Sequence, residues 1–124
     1  MKWRIEFLPE VRVVRATTTG VVTADCARTV AQDLVYHLQG NQAAKFLVDH
    51  RDAELSMNLV ELYYLAGDTI KIGLDSRYTG ALVFAPDTSH DFRFYEVRMY
   101  NVGLRRKVFL EYDIALAWLE SIPE

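Results

Sequence analysis

The stretch Ala44-Lys45-Phe46-Leu47-Val48-Asp49-His50-Arg51-Asp52 decides how this chain folds. A short apolar run that breaks off into alternating charge fits a buried parallel strand whose carboxyl end opens into a polar loop. Open α/β sheets place ligand and switch sites at that end of their strands. The stretch is therefore the expected centre of the sheet and the first place to look for function.

Upstream, Thr23 is a good helix N-cap, Asp25 sits in the first turn, and Ala27, Val30, Ala31, Leu34, Val35 and Leu38 recur at intervals of three and four until Gly40-Asn41. Arg28, Gln32 and Asp33 occupy the outer face, so the inner face must lie on a sheet. The lone Cys26 has no partner for an internal disulfide and is read as a small core residue. Further back, Trp3, Ile5 and Phe7 alternate with charged residues, and Val11-Arg12-Val13-Val14-Arg15-Ala16-Thr17 is again β-rich. Pro9 favours a turn between the two runs, so they predict an antiparallel hairpin whose second strand ends at Thr18-Thr19-Gly20. Strand, helix, strand then makes a right-handed parallel crossover.

Downstream, Ala53-Glu54-Leu55-Ser56-Met57 leads into a helix in which Asn58 and Glu61 have capping-box spacing and Leu59, Leu62, Tyr63, Ala66 and Ile70 form the apolar stripe. Gly67 costs about 1 kcal/mol relative to alanine, so a bend or an end is expected there. Ala81-Leu82-Val83-Phe84-Ala85 is the next strand, ended by Pro86, and Thr88 with Asp91 repeats the capping pattern. Phe92, Tyr95, Met99 and Val102 stripe the following helix, which stops at Gly103. Lys107-Val108-Phe109-Leu110 and a helix from Asp113 to Leu119 complete the chain. The predicted fold class is α/β: one domain over residues 1–124, with a mixed central sheet of about five strands, an N-terminal antiparallel hairpin followed by parallel strands, and about four helices.

A chain of 124 residues with 51% hydrophobic content can bury a core without disulfides or metal. Its net charge of −3 lacks the basic surplus of a general nucleic-acid binder. The N-terminal residues lack the apolar core of a signal peptide and no stretch is long enough to span a bilayer, so a cytoplasmic location is expected.

Asp49, His50, Arg51 and Asp52 carry catalytic and metal-ligating residue types, but neighbours on an extended chain point to opposite sides. Only Asp49 with Arg51, or His50 with Asp52, can share a face. Structural pairing is the preferred reading. His37, near the end of the first helix, His50 and His90 are scattered, without a second ligand at helical spacing, so no metal site is expected. Ser56 precedes a helix start, where free N–H groups tolerate added negative charge, but no glycine-bracketed elbow, base or phosphate loop accompanies it. No catalytic residue and no cofactor is assigned, and a non-enzyme is expected. Tyr63, Tyr64, Phe84, Phe92, Phe94 and Tyr95 are read mainly as core, with a pocket between helices and sheet for a small apolar, anionic or lipid-like ligand as the alternative. Arg105-Arg106-Lys107 is read as charge protecting an edge strand.

The hairpin opening, the Gly20-Val21-Val22-Thr23-Ala24-Asp25 approach to the first helix, the strand ending in Leu47-Val48-Asp49, and the C-terminal Val108-Phe109 followed by Ala115-Leu116-Ala117-Trp118-Leu119 resemble the STAS domain. Within it the chain is similar to the branch of the sporulation anti-sigma factor antagonist, often found as small stand-alone bacterial proteins. The resemblance implies a mixed sheet flanked by helices and a regulatory, protein-binding role. In signalling members it also implies a phosphorylated serine or threonine at the start of the helix after the central strand. Those members carry an acidic residue, a serine pair and a glycine there, whereas this chain has Leu55-Ser56-Met57-Asn58-Leu59. Ser56 is the nearby hydroxyl, and Asn58 is the other candidate for the acceptor position. The expected switch or ligand loop thus comprises Asp49, Asp52, Ser56 and Asn58, and the expected partner is another protein or a second copy of the chain.

Overall fold

The alternation within Lys45-Phe46-Leu47-Val48-Asp49 sends successive side chains to opposite faces of a sheet. The computed structural model, which describes residues 1–86 and 91–123, covers both faces. Its elements are β1 (Lys2–Leu8), β2 (Val13–Val22), α1 (Ala24–Gly40), β3 (Lys45–Leu55), α2 (Leu59–Ile72), β4 (Thr79–Val83), α3 (Asp91–Asn101), β5 (Arg105–Phe109) and α4 (Tyr112–Glu120). The strands form one five-stranded sheet in the order β1-β2-β3-β4-β5. β1 is antiparallel to β2 and the remaining pairs are parallel. Phe46 and Val48, with Val14, Ala16 and Leu82, meet the buried faces of α1, α2 and α3. Leu47, with Val13, Ala81 and Val83, meets Ala115 and Leu119 of α4. The expected α/β class, hairpin and helix count hold.

The strand ends differ from expectation. β2 continues past Thr18-Thr19-Gly20 to Val22, and β3 continues past Asp52 to Leu55, because each supplies the other's hydrogen-bonding partner. Thr19 stands opposite Asp52 and Val22 opposite Leu55, and the Ser56 N–H still donates to Val22 O at 2.9 Å. β4 stops opposite Asp49, so the rest of β3 has an open edge on that side, which tolerates charge, and only Ala53 to Leu55 with Gly20 to Val22 form a two-stranded ribbon. Asp49 to Asp52 are therefore strand, not loop. A register shift between Thr17 and Thr19 and a positive φ of 80° at Gly20 let the ribbon bend while staying paired.

Other expectations are also corrected. α2 runs through Gly67, whose missing side chain would meet only open space, and stops at Gly73, where φ is +110° and the N–H bonds Ile70 O. Its buried stripe is Leu62, Leu65, Ala66 and Thr69, leaving Leu59 and Tyr63 exposed. Cys26 is half-buried, flanked by exposed Asp25 and Thr23, and is not a core residue. Of the basic run, Arg105 and Lys107 are exposed but Arg106 alternates inward and is buried. The predicted cap at Thr88, and His90, lie outside the described residues.

Gly80 on β4 stands opposite Phe46 on β3, and a methyl group on it would overlap the Phe46 ring. That ring is fully buried, with the Arg106 guanidinium 5.5 Å from its centroid, so it has little room to yield. Gly80→Ala is expected to destabilise the fold by about 1 to 3 kcal/mol, the usual cost of overpacking, as measured by urea unfolding.

Candidate functional site

The pleat of β3 separates the charged residues that the sequence runs together. Asp49 and Arg51 project to the α4 face and His50 to the opposite one. Arg51 donates to Asp49 through Nε at 2.9 Å and through a terminal nitrogen at 2.8 Å, and its backbone N–H adds a third bond at 3.1 Å. Burial alone would raise the Asp49 pKa; the Arg51 hydrogen bonds and charge outweigh it and hold the carboxyl below its ordinary range. The Arg51 guanidinium also lies 5.0 Å from the Tyr112 ring centroid, and the Tyr112 hydroxyl accepts from Arg15 at 2.8 Å. Asp49 is thus a satisfied structural carboxylate, in keeping with the preferred reading.

His50 faces a cavity of about 60 Å³ between the sheet and helices α1, α2 and α3. Its Nδ1 is 2.7 Å from Thr18 Oγ1, and its ring stacks on Phe84 at 5.4 Å, with Phe92 stacked beyond at 3.9 Å. Although a strip of the residue reaches the surface, its ring is deeply enclosed, and desolvation depresses its pKa to about 4 against the opposing pull of Asp49. Phe84, Phe92 and Tyr95 of the predicted aromatic set line this cavity, whereas Tyr63, Tyr64 and Phe94 are exposed.

The sequence reading missed Arg106, which also lines the cavity. Its guanidinium donates to Thr69 Oγ1 at 3.0 Å and to Leu74 O, while its buried Nε has no partner among the described residues. Burial lowers its pKa, and Tyr95, hydrogen-bonded to it, opposes the shift. The signal was positional: Arg106 shares the parity of Val108, the inward residue of β5.

Ser56 and Asn58 lie together where β3 gives way to α2, and Asp52 lies exposed on β3 before them. Asn58 Oδ1 accepts the Glu61 N–H at 2.8 Å, and Glu61 returns the bond to the Asn58 N–H at 3.0 Å, completing the predicted capping box. The Asn58 side chain is therefore committed to the helix. The Ser56 hydroxyl is exposed and makes no hydrogen bond among the described residues. The structure thus brings Ser56 and Asn58 together, places Asp52 on the same exposed end, and assigns Asp49 to the opposite face of the sheet. Among the described residues no group of three or more His, Cys, Asp or Glu side chains gathers to hold a metal ion, and no helix is long and apolar enough to cross a membrane.

No family model matches the chain, and no curated protein matches it in sequence. Solved structures do match. One is an uncharacterized protein of the DUF3478 family with a SpoIIAA-like fold from Shewanella loihica PV-4, at 18% identity and a TM-score of 0.58, covering 95% of this chain and 92% of that one. Another is the anti-sigma factor antagonist SpoIIAA in its unphosphorylated form, at 10% identity and a TM-score of 0.51, covering 98% and 100%. Full-length coverage at such low identity establishes the architecture: this is a STAS-like, SpoIIAA-like fold.

The depressed His50 pKa makes stability depend on pH. Above about pH 6.5 His50 is neutral in both states; as pH falls toward 4 the unfolded chain takes up the proton first, so stability is lost across that window. The shift from 6.5 to about 4 corresponds to roughly 3 kcal/mol, fully lost once the folded imidazole is protonated as well. Asp49 adds a further loss as pH falls below its unfolded value of 3.8. Denaturant unfolding at pH 7.5 and near pH 4.5 should show most of the His50 loss in the wild type, and His50→Gln should remove that part of the dependence.

Proposed function

We propose that the chain is a cytoplasmic, single-domain, non-enzymatic module of STAS type that regulates by binding another protein through the start of α2. The observation that carries this reading is the exposed apolar surface beside the free Ser56 hydroxyl. Val60 is 64% and Tyr64 63% exposed, and Leu59 and Tyr63 are exposed with them, although α2 has its own buried stripe. Large apolar side chains clustered on a surface mark interaction sites. Arg98 of α3 lies 3.8 Å from the Tyr63 ring centroid and donates to Tyr63 O, steadying this face from the neighbouring helix. The likeness to an anti-sigma factor antagonist supports a protein partner.

The chemistry of the site supports the absence of catalysis. Asp49 is paired with Arg51, neutral His50 is bonded to Thr18, and the two lie on opposite sides of β3, so among the described residues these two do not converge with Ser56 as acid and base. Phosphorylation of Ser56 would place negative charge ahead of the positive end of the α2 dipole and beside the apolar surface, altering partner affinity.

A second reading, a small-ligand sensor, rests on Arg106 in the cavity. The space of about 60 Å³ falls well below the roughly 150 Å³ that holds a benzene ring, so it suits a small anion and not a lipid tail. Native and denatured masses of protein isolated from its own cells distinguish these readings: a noncovalent excess supports the sensor, and one covalent phosphate on Ser56 supports the switch. For the partner reading, a protein captured on the immobilised chain is purified and titrated back. Val60→Asp and Tyr64→Ala, on exposed positions, should each weaken that binding at least about tenfold with the fold retained. Unchanged affinity in both variants would sink the proposed surface.

A further inference from the structure

The two edges of the sheet are treated differently. On β5, Phe109 O accepts the Phe84 N–H and so faces β4, which leaves Val108 facing outward. Glu96 of α3 accepts that outward Val108 N–H. β1 has no such cover. It runs seven residues without a register break, from Lys2 opposite Thr19 to Leu8 opposite Val13, and contains neither proline nor glycine. Among the described residues the sole side chain bonded to its backbone is Thr19, at Lys2 O. A long, regular, uncovered edge is a template for another strand unless something blocks it.

The order of side chains along β1 identifies the strand that fits. We infer that β1 pairs antiparallel with β1 of a second copy about a two-fold axis at Ile5, joining the two five-stranded sheets edge to edge. In this register Arg4 stands opposite Glu6 of the second copy, Glu6 opposite its Arg4, and Trp3 opposite its Phe7. Opposite-charge and aromatic pairs directly across an antiparallel ladder stabilise it. Arg4 and Glu6 occupy the face away from α1, where Arg4 Nε already contacts Glu6 at 2.7 Å and Arg15 approaches Glu6 at 3.4 Å. Pairing brings a third arginine, Arg4 of the second copy, toward each Glu6 carboxylate. Arg4, with 74% of its side chain exposed, has the freedom to reach across.

Other registers are disfavoured by the same residues. An axis at Arg4 sets Arg4 against Arg4, and an axis at Glu6 sets Glu6 against Glu6. A one-residue slip turns Trp3, Ile5 and Phe7 to opposite faces in the two copies, although in each chain Ile5 and Phe7 belong to the core under α1. The isologous register centred on Ile5 alone satisfies charge and face together. This dimer goes beyond the partner-binding reading and stands or falls independently of it, because it uses none of the α2 surface.

Sedimentation equilibrium of the full chain tests the inference. The wild type should associate reversibly to a dimer, and Arg4→Glu, which sets two like-charge pairs across the interface, should weaken the dimer about tenfold. Mixing Arg4→Glu with Glu6→Arg chains should restore association, because each new charge then meets its opposite. Should Glu6→Arg fail to fold beside Arg15, amide exchange of the wild type gives a readout free of variants: the outward-facing amides of β1 should exchange more slowly as concentration rises. A wild type that stays monomeric at every concentration overturns the inference. So does a dimer that Arg4→Glu leaves intact and Tyr64→Glu dissociates, since the copies would then meet through their helices.

Discussion

The long parallel ladder between β2 and β3 is the constraint on which the rest of the molecule depends. Its first half, where Val13 to Thr17 pair with Lys45 to Asp49, lies inside the sheet and carries core residues on both faces. Its second half reaches beyond β4 and delivers Ser56 to the start of α2. Without the overhang, the α2 cap would begin nearer the sheet, and the exposed surface of Leu59, Val60, Tyr63 and Tyr64 would lose its support. The bulge at Thr18 serves the same ladder in another way, since the Thr18 hydroxyl sits at 2.7 Å from the His50 imidazole.

Burial sorts the polar groups by how they are compensated. Asp49 stays ionised because Arg51 grips both oxygens, whereas His50 gives up its charge because it meets a hydroxyl and an aromatic face. Arg106 keeps its cation by another route. It donates to Thr69 and Leu74 at the carboxyl end of α2, where the helix dipole presents partial negative charge. These solutions place ionisable groups close together in sequence and space while leaving none of them arranged as an acid-base pair.

Much of this architecture was legible in the residues, because periodicity reports which side of an element is buried. The stripe of α1, the Asn58 to Glu61 capping box and the alternation at the ends of β1 each translate directly into observed packing. Strand ends were less legible. Charge at Arg51 and Asp52 marks exposure, and exposure is shared by loops and by overhanging strand ends; pairing with a distant segment decides between them. Arg106 was obscured by its neighbours, since three adjacent basic residues look like a surface until the strand's parity is known. Of the candidate site, the proximity of Ser56 to Asn58 followed from sequence order, whereas the separation of Asp49 from them required the sheet.

The Glu96 carboxylate on the Val108 N–H carries a consequence for the size of any assembly. A sheet with two accommodating edges can add chains at both and grow into a filament, whereas one with a single accommodating edge is exhausted by the first addition. By engaging the outward Val108 N–H with Glu96, the chain occupies one of the groups that a strand added at β5 would need. In an assembly joined through β1, each copy would turn this guarded edge outward, which opposes growth into a filament.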